Sequence, residues 1–315
     1  MKKTALILAF SVIAGSAVLA QQTIYVSAKG SRDNSGMSEA EPTDFSKAIT
    51  QVMTGAAKKI TIIGAVDVNS SGMRKDIGCV FDIVDSVGDV KRGKALDEIM
   101  ITGKPGASGT ERAVLSAKGS GNTAVWVRNC KVRFEHIDIS GAEGGYGYGL
   151  YILKDAQATL GPGAAVRNNV NAGAYVAEGG SCVIDGGEIV NNTNIGAYVK
   201  GVLNLVSGSI KDNSSSSGGG GVYIAEGGRF TMSGGTITGN KTAVLEPYSG
   251  GGVYVAEGGN FTMSGGTITG NNSRGAGGGV FIEIGGGFEQ NGGTVTRNTG
   301  QGAASNVYRD RAPRW

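Results

Sequence analysis

The chain has 315 residues, of which 57 are glycine, 5 are proline and 3 are cysteine, and its formal net charge is +3. So much glycine with so little proline excludes a collagen-like chain and a disordered linker, and it suits many tight corners between short strands. The small net charge does not indicate a basic surface that would bind nucleic acid. Three widely spaced cysteines do not indicate a disulfide framework.

Residues 1–20 are interpreted as a signal peptide. Lys2 and Lys3 form a basic start, an apolar run over 5–17 follows, and small residues end at Ala20, where we expect cleavage. The run is too short to span a membrane, and no later segment reaches the length that a spanning helix needs. We therefore expect export through a cleaved signal, no transmembrane segment in the mature chain, and a location outside the cell, at its surface or in the periplasm.

Residues 21–64 predict an N-terminal strand followed by a helix. The segment TIYVS alternates apolar and polar residues, and an apolar set recurs at helical spacing further on. Such a helix would cover the first strand edges, which otherwise remain unpaired. The helical set comprises Phe45, Ala48, Ile49, Val52 and Met53. Residues 65–143 predict early, irregular coils, with 69–97 as an inserted loop.

Residues 144–298 contain a repeat of about 22 residues. The segment 218–240 reads GGGGVYIAEGGRFTMSGGTITGN, and 250–272 reads GGGVYVAEGGNFTMSGGTITGNN. Each copy holds three short runs with a period of two, separated by glycines, so each predicts three strands. Because one copy cannot bury its apolar side alone, the copies must stack. The predicted fold class is all-β: a single-stranded right-handed parallel β-helix with three strands per coil and a short N-terminal capping helix.

Six asparagines lie three residues beyond the apolar position of the third strand. Stacked asparagines can pass amide hydrogen bonds from coil to coil, as they do in cross-β assemblies. We interpret this column as a structural ladder, with metal or sugar ligands as the minor alternative. The column comprises Asn169, Asn192, Asn213, Asn240, Asn271 and Asn298.

One aromatic residue recurs at the outward position of the first strand in seven consecutive coils. Strand spacing makes this a stripe about 29 Å long. It either stiffens the sheet as a stacked ladder or forms a platform on which sugar rings lie against aromatic faces. The candidate binding stripe comprises Trp126, Tyr151, Tyr175, Tyr198, Tyr223, Tyr254 and Phe281.

Three glutamates, Glu178, Glu226 and Glu257, share a register at the corner after this strand. Like charges so close repel unless they are exposed or bridged by a cation. We favour solvated carboxylates, and we keep Ca²⁺ as a minor possibility without assigning a metal site. A second charged patch, around Arg133 and His136, is interpreted as a solvated face near the stripe.

The unit GGGVY(I/V)AEGG-FTMSGGTITGN resembles repeats of bacterial surface proteins with the pectate-lyase-like, right-handed β-helix fold. That resemblance implies relatives among polysaccharide lyases, which use a carboxylate cluster for calcium and a basic proton acceptor, and among glycoside hydrolases, which use paired carboxylates. We find no tight carboxylate cluster in register on one face, and His136 has no second histidine or cysteine nearby. No catalytic residue is therefore assigned, and the enzyme question stays open with a leaning against activity.

Three functions remain open at this point. The leading hypothesis is a non-catalytic adhesion protein that binds polysaccharide, or a host surface glycan or matrix, along the aromatic stripe. The second is a polysaccharide lyase or glycoside hydrolase, and the third is a purely structural envelope protein. Residues 299–315 form a C-terminal tail that caps the last coil or leaves it to a partner, unless the chain is a fragment.

Overall fold

A computed structural model describes residues 23–53, 57–68, 79–82, 86–87, 90–91, 98–105, 112–118, 123–143, 147–243, 249–300 and 306–311. The predicted signal peptide, 1–20, lies outside these ranges. The described residues form a parallel β-helix with three faces and one short helix near the N-terminus, so the predicted fold class is confirmed.

The first face is a parallel sheet of nine strands, one from each successive coil. Neighbouring strands pair in register, so that Tyr198 lies opposite Tyr223 and Tyr223 opposite Tyr254. Its strands are Cys79–Asp82, Val125–Arg128, Tyr148–Ile152, Ala172–Val176, Ile195–Val199, Val222–Ile224, Val253–Val255, Val280–Ile282 and Val307–Arg309.

The second and third faces form one continuous sheet of seventeen strands. They merge because two strands, Ser181–Val190 and Val202–Lys211, run from one face into the next. The second face also contains Thr23–Ser27, Lys59–Ile63, Ile99–Lys104, Lys131–Glu135, Gln157–Leu160, Arg229–Met232, Asn260–Met263 and Gly287–Gln290. The third face also contains Ala65–Asp67, Ala113–Ser116, Ile137–Ser140, Ala165–Arg167, Thr236–Thr238, Thr267–Thr269 and Thr294–Thr296.

The core fills the space inside the three faces, and each coil contributes the residues that alternation predicts. In the coil that begins near 220, Val222 and Ile224 are buried from the first face and Phe230 from the second. Phe230 stacks on Phe261 with ring centroids 4.7 Å apart. In these two coils the internal column repeats the side chain as well as the backbone, whereas in the preceding coil Leu203 lies opposite Phe230.

The helix Phe45–Met53 packs against the first strands. Asp44 precedes it, and its carboxylate accepts a hydrogen bond of 2.7 Å from the backbone N–H of Lys47, which is N-terminal capping. Phe45, Ala48 and Val52 are buried in the main core. The segment 69–97, expected as an inserted loop, contributes the strand Cys79–Asp82 to the first face and an antiparallel pair, Ser86–Val87 with Val90–Lys91.

The asparagine column forms an unbroken chain of buried hydrogen bonds. From Asn192 onward, each side-chain oxygen accepts two bonds from the preceding asparagine of the column, one from the backbone N–H and one from the side-chain amide. Steps between successive members differ, being 23 residues from Asn169 to Asn192 but 31 from Asn240 to Asn271. The loops between coils absorb this variation because they leave the column after each asparagine.

The asparagine column and the sheet of the first face both continue beyond the predicted repeats. Asn298 donates to the side-chain oxygen of Asn306, and the strand Val307–Arg309 pairs with Val280–Ile282. The guanidinium of Arg309 lies 5.7 Å from the ring centroid of Phe288, which is partly exposed at the last coil. Gln290 lies in the register of buried Met263 but is exposed, since no further strand of the described residues covers that edge.

Candidate functional site

The aromatic residues of the first face stack ring on ring along the helix axis. From Tyr175 to Tyr254 the ring centroids lie 4.8–5.1 Å apart and the planes differ by at most 8°. Trp126 and Tyr151 continue the stack in one direction, and Phe281 and then Tyr308 continue it in the other. We call this column the aromatic ladder: Trp126, Tyr151, Tyr175, Tyr198, Tyr223, Tyr254, Phe281 and Tyr308.

This geometry corrects the expectation that sugar rings lie on the aromatic faces. The spacing between rings equals the spacing between strands of a sheet, about 4.8 Å. Each inner ring therefore has both faces covered by its neighbours in the ladder. What the ladder can offer a ligand is ring edges and phenolic hydroxyls, which make hydrogen bonds rather than stacking contacts.

One part of the ladder is partly exposed to solvent, and another part is buried beneath loops. The first five members are partly exposed, whereas Tyr254 is 6% exposed and Phe281 is fully buried. These two residues of the candidate stripe therefore form a small buried cluster outside the main core, with Ala256, Ala276 and the stacked rings of Tyr223 and Tyr308.

The cover consists of the loops that leave the asparagine column. Short parallel strands, Ser214–Ser215, Lys241–Thr242 and Asn272–Ser273, hold these loops together. Gly218 approaches Tyr254 so closely that a β-carbon there would lie 2.6 Å from the ring. Residues 244–248, which belong to the loop between Thr242 and Ser249, lie outside the described residues.

Burial within the ladder changes the acidity of its hydroxyls. Loss of solvation raises the pKa of Tyr151, Tyr198 and Tyr223. It raises the pKa of Tyr175 to about 12, helped by the neighbouring tyrosines. One of these neighbours, Tyr148, packs 5.1 Å from Tyr175 at a tilt of 55°. These hydroxyls remain neutral and able to donate at physiological pH.

A groove of about 700 Å³ runs beside the open part of the ladder. Tyr198 and Tyr223 form part of its lining, together with Lys200. Its other charged residues are four glutamates from the corners that follow the first face: Glu178, Glu226, Glu257 and Glu283. The first three share the register predicted from the sequence, whereas Glu283 occupies the position of Ala225 and Ala256 in the preceding coils.

The corner sequence AEGG explains why these glutamates project into one groove. In each of these corners a glycine follows the glutamate with a positive φ, as at Gly227 (75°) and Gly258 (71°). Only glycine adopts this conformation readily, so the backbone turns at the same point in the three coils that contain AEGG. The glutamates are therefore presented in a row along the helix axis.

Glu283 is held in place by two donors. Its Oε2 accepts a hydrogen bond of 3.2 Å from the hydroxyl of Tyr254 and one of 3.1 Å from the backbone N–H of Glu257. The covered end of the ladder therefore fixes a carboxylate in the groove. Sequence reasoning missed Glu283 because the last corner, IEIGG, departs from AEGG by one position.

The charged patch around Arg133 and His136 is divided among the three faces: Arg128 ends the first-face strand that carries Trp126, whereas Arg133 and Asp138 lie on the second and third faces. Arg133 pairs with Glu135 on the second face, with the guanidinium 2.6 Å from the carboxylate. On the third face Asp138 is buried between Arg112 and Arg167, 2.9 Å and 3.4 Å away. The charged residues that line the groove beside the ladder are Lys200 and the four glutamates.

Sequence reasoning also missed Tyr308 and Tyr148. The segment NVYRD repeats the Val-Tyr pair of GVYIA and GVYVA, which is the signal for Tyr308 as a further member of the ladder. Tyr148 lies at the start of its strand, and nothing in the repeat indicates that its ring turns onto the ladder. In the part of the chain that the structure describes, no three histidine, cysteine or carboxylate side chains come together to hold a metal ion.

Comparisons with known proteins give one match. A family model described as "Right handed beta helix region" matches residues 148–310. No curated protein and no solved structure matches the chain. Within the described residues, no helix has the length and apolar character required to cross a membrane.

Proposed function

The chain belongs to the family of proteins with a right-handed β-helix region, and we propose that it is an exported, non-catalytic protein that binds a polysaccharide in the groove beside the aromatic ladder. The signal-like N-terminus supports export. The observation that carries the binding proposal is the groove itself: about 700 Å³ in volume, lined by Tyr198 and Tyr223 on one side and by charged corners on the other.

Polar recognition fits this groove better than stacking does. Sugars present many hydroxyls, and the groove offers phenolic hydroxyls, carboxylates and one ammonium group. The groove follows the helix axis across several coils, so an elongated ligand matches it better than a compact one. Binding sites with a few well-placed polar groups of this kind fix the orientation of a ligand.

The test replaces hydroxyls and leaves the ladder intact. In the double variant Tyr198→Phe with Tyr223→Phe, the rings still stack but two hydrogen-bonding groups leave the groove. Calorimetric titration with polysaccharides from a glycan array should show an affinity reduced by about tenfold. Tyr25→Phe on the second face and Tyr308→Phe at the last coil lie outside the groove and should bind as the unmodified protein does.

Two results would count against the proposal. If no glycan in the array is retained, the ladder and groove serve the fold alone, and a purely structural envelope protein becomes the better account. If glycans are retained but the double phenylalanine variant binds as tightly as the unmodified protein, the binding site lies elsewhere. Release of shortened glycan products on incubation would contradict the non-catalytic part.

A further inference from the structure

We infer that the glycan held in this groove carries positive charge, as an amino-sugar polymer with free amines does. This inference rests on the proposed function and names the ligand class of the same groove. It arises from the charges of the lining: four carboxylates and one ammonium group, that of Lys200. The groove is therefore acidic, whereas the chain as a whole has a formal net charge of +3.

Among the residues that the structure describes, no salt bridge involves a groove carboxylate. The salt bridges found among the described residues involve other carboxylates, on the second and third faces and near the helix. Like charges in a row repel one another, and a cationic ligand relieves that repulsion. An acidic polysaccharide would be repelled by the same row.

The row suits an extended cation better than a metal ion. Calcium requires six to eight oxygens within about 2.6 Å, and no three acidic groups converge in this way among the described residues. Glu226 and Glu257 instead belong to adjacent coils, which are about 4.8 Å apart. An extended polycation that lies along the row can therefore keep its amines close to the carboxylates of several coils.

Glu283 adds a carboxylate whose position is fixed before the ligand arrives. Its Oε2 is held by the hydroxyl of Tyr254 and the backbone N–H of Glu257. Tyr254 is itself immobilised between two rings and beneath Gly218. A carboxylate that is already oriented loses little side-chain freedom when it pairs with an amine, which favours binding.

The experiment compares two oligosaccharides of equal length, one of glucosamine and one of N-acetylglucosamine, by calorimetric titration. The unmodified protein should bind the glucosamine oligomer more tightly, and added salt should weaken that binding. Glu226→Gln with Glu257→Gln should lower its affinity by about tenfold and leave binding of the acetylated oligomer nearly unchanged. Glu143→Gln with Glu289→Gln removes two exposed carboxylates away from the groove and is the matched control.

The outcomes separate this inference from the proposed function. If both oligomers bind equally and the glutamine pair has no effect, glycan binding stands and the charge inference is overturned. If neither oligomer nor any array glycan binds, the proposed function fails, and this inference fails with it. If oligolysine binds in a manner that depends on Glu226 and Glu257 while the glucosamine oligomer does not, the ligand is a basic protein segment and the inference is again overturned.

Discussion

The side-chain amide of Asn240 donates a hydrogen bond of 2.9 Å to the side-chain oxygen of Asn271, and both side chains are buried. The same amide donates to the backbone carbonyl of Ile210, also at 2.9 Å. The oxygen of Asn240 in turn accepts two bonds from Asn213. Asn240 therefore joins three coils, and its removal leaves buried polar groups without partners on both sides.

Asn240→Ala should lower the free energy of unfolding by about 2 to 4 kcal/mol, because buried donors on Asn213 and an acceptor on Ile210 lose their partner. Urea denaturation followed by circular dichroism measures the loss. Asn260→Ala is the control, because that side chain is exposed on the second face of the same region and makes one long bond of 3.3 Å. Equal midpoints for the two variants would contradict a structural role for the column.

Tyr254 and Tyr223 are neighbours in the ladder but should respond differently to truncation. Tyr254→Ala empties a buried position between two rings and should cost about 3 kcal/mol or more. Tyr223→Ala removes a partly exposed ring and should cost about 1 kcal/mol. Tyr254→Phe keeps the stack and removes the hydrogen bond to Glu283, so it should cost about 1 kcal/mol. Similar losses of unfolding free energy in the two alanine variants would contradict the burial of Tyr254 beneath the loops.

The fold and both columns follow from the repeat, because register in stacked coils places identical positions above one another. Three neighbouring asparagines such as Asn213, Asn240 and Asn271 had to meet once their coils aligned. The burial of one end of the ladder, however, could not be predicted from the repeat. Tyr223 and Tyr254 lie in almost identical local sequences, GVYIA and GVYVA. Residues from other loops, Gly218 and Ala276 among them, pack against Tyr254, whereas Tyr223 stays partly exposed.

Two further features could not be predicted from the sequence, for physical reasons. The interval from Asn298 to Asn306 is 8 residues, far shorter than any interval within the column, because Asn306 reaches the column from the start of the next strand. The stacking of the ladder was visible as a possibility, but the sequence does not tell whether ring faces point to solvent or to each other. The constant spacing of coils along the axis decides that.

Cys182 should be inert in the folded protein. Its side chain is fully buried on the second face, and loss of solvation raises the pKa of the thiol to about 12. Thiolate is the reactive form, so both access and ionisation oppose alkylation. Labelling with iodoacetamide, followed by mass spectrometry of the peptide that contains Cys182, should show modification only after addition of denaturant. Modification in native buffer at a rate similar to that in denaturant would contradict the burial.

Stability should fall at alkaline pH because the ladder favours neutral tyrosines. In the folded state the pKa of Tyr175 is raised from 10.0 to about 12, mainly by loss of solvation. Between those values the unfolded chain releases a proton that the folded chain keeps, so the free energy of unfolding decreases as pH rises. Below about pH 10 both states hold the proton, and this contribution to stability is fully present.

Tyr175→Phe isolates this effect. The ring still stacks on Tyr151 and Tyr198. In urea denaturation at neutral pH the variant should lose about 1 kcal/mol at most, the contribution of the hydroxyl's hydrogen bond to Tyr151. Above about pH 10 it should lose stability less steeply, because one titrating hydroxyl is absent. The ultraviolet absorbance of tyrosinate, followed during the same pH titration, should show fewer hydroxyls ionising late. Parallel curves of stability against pH for the two proteins would mean that Tyr175 ionises alike in the folded and unfolded chains.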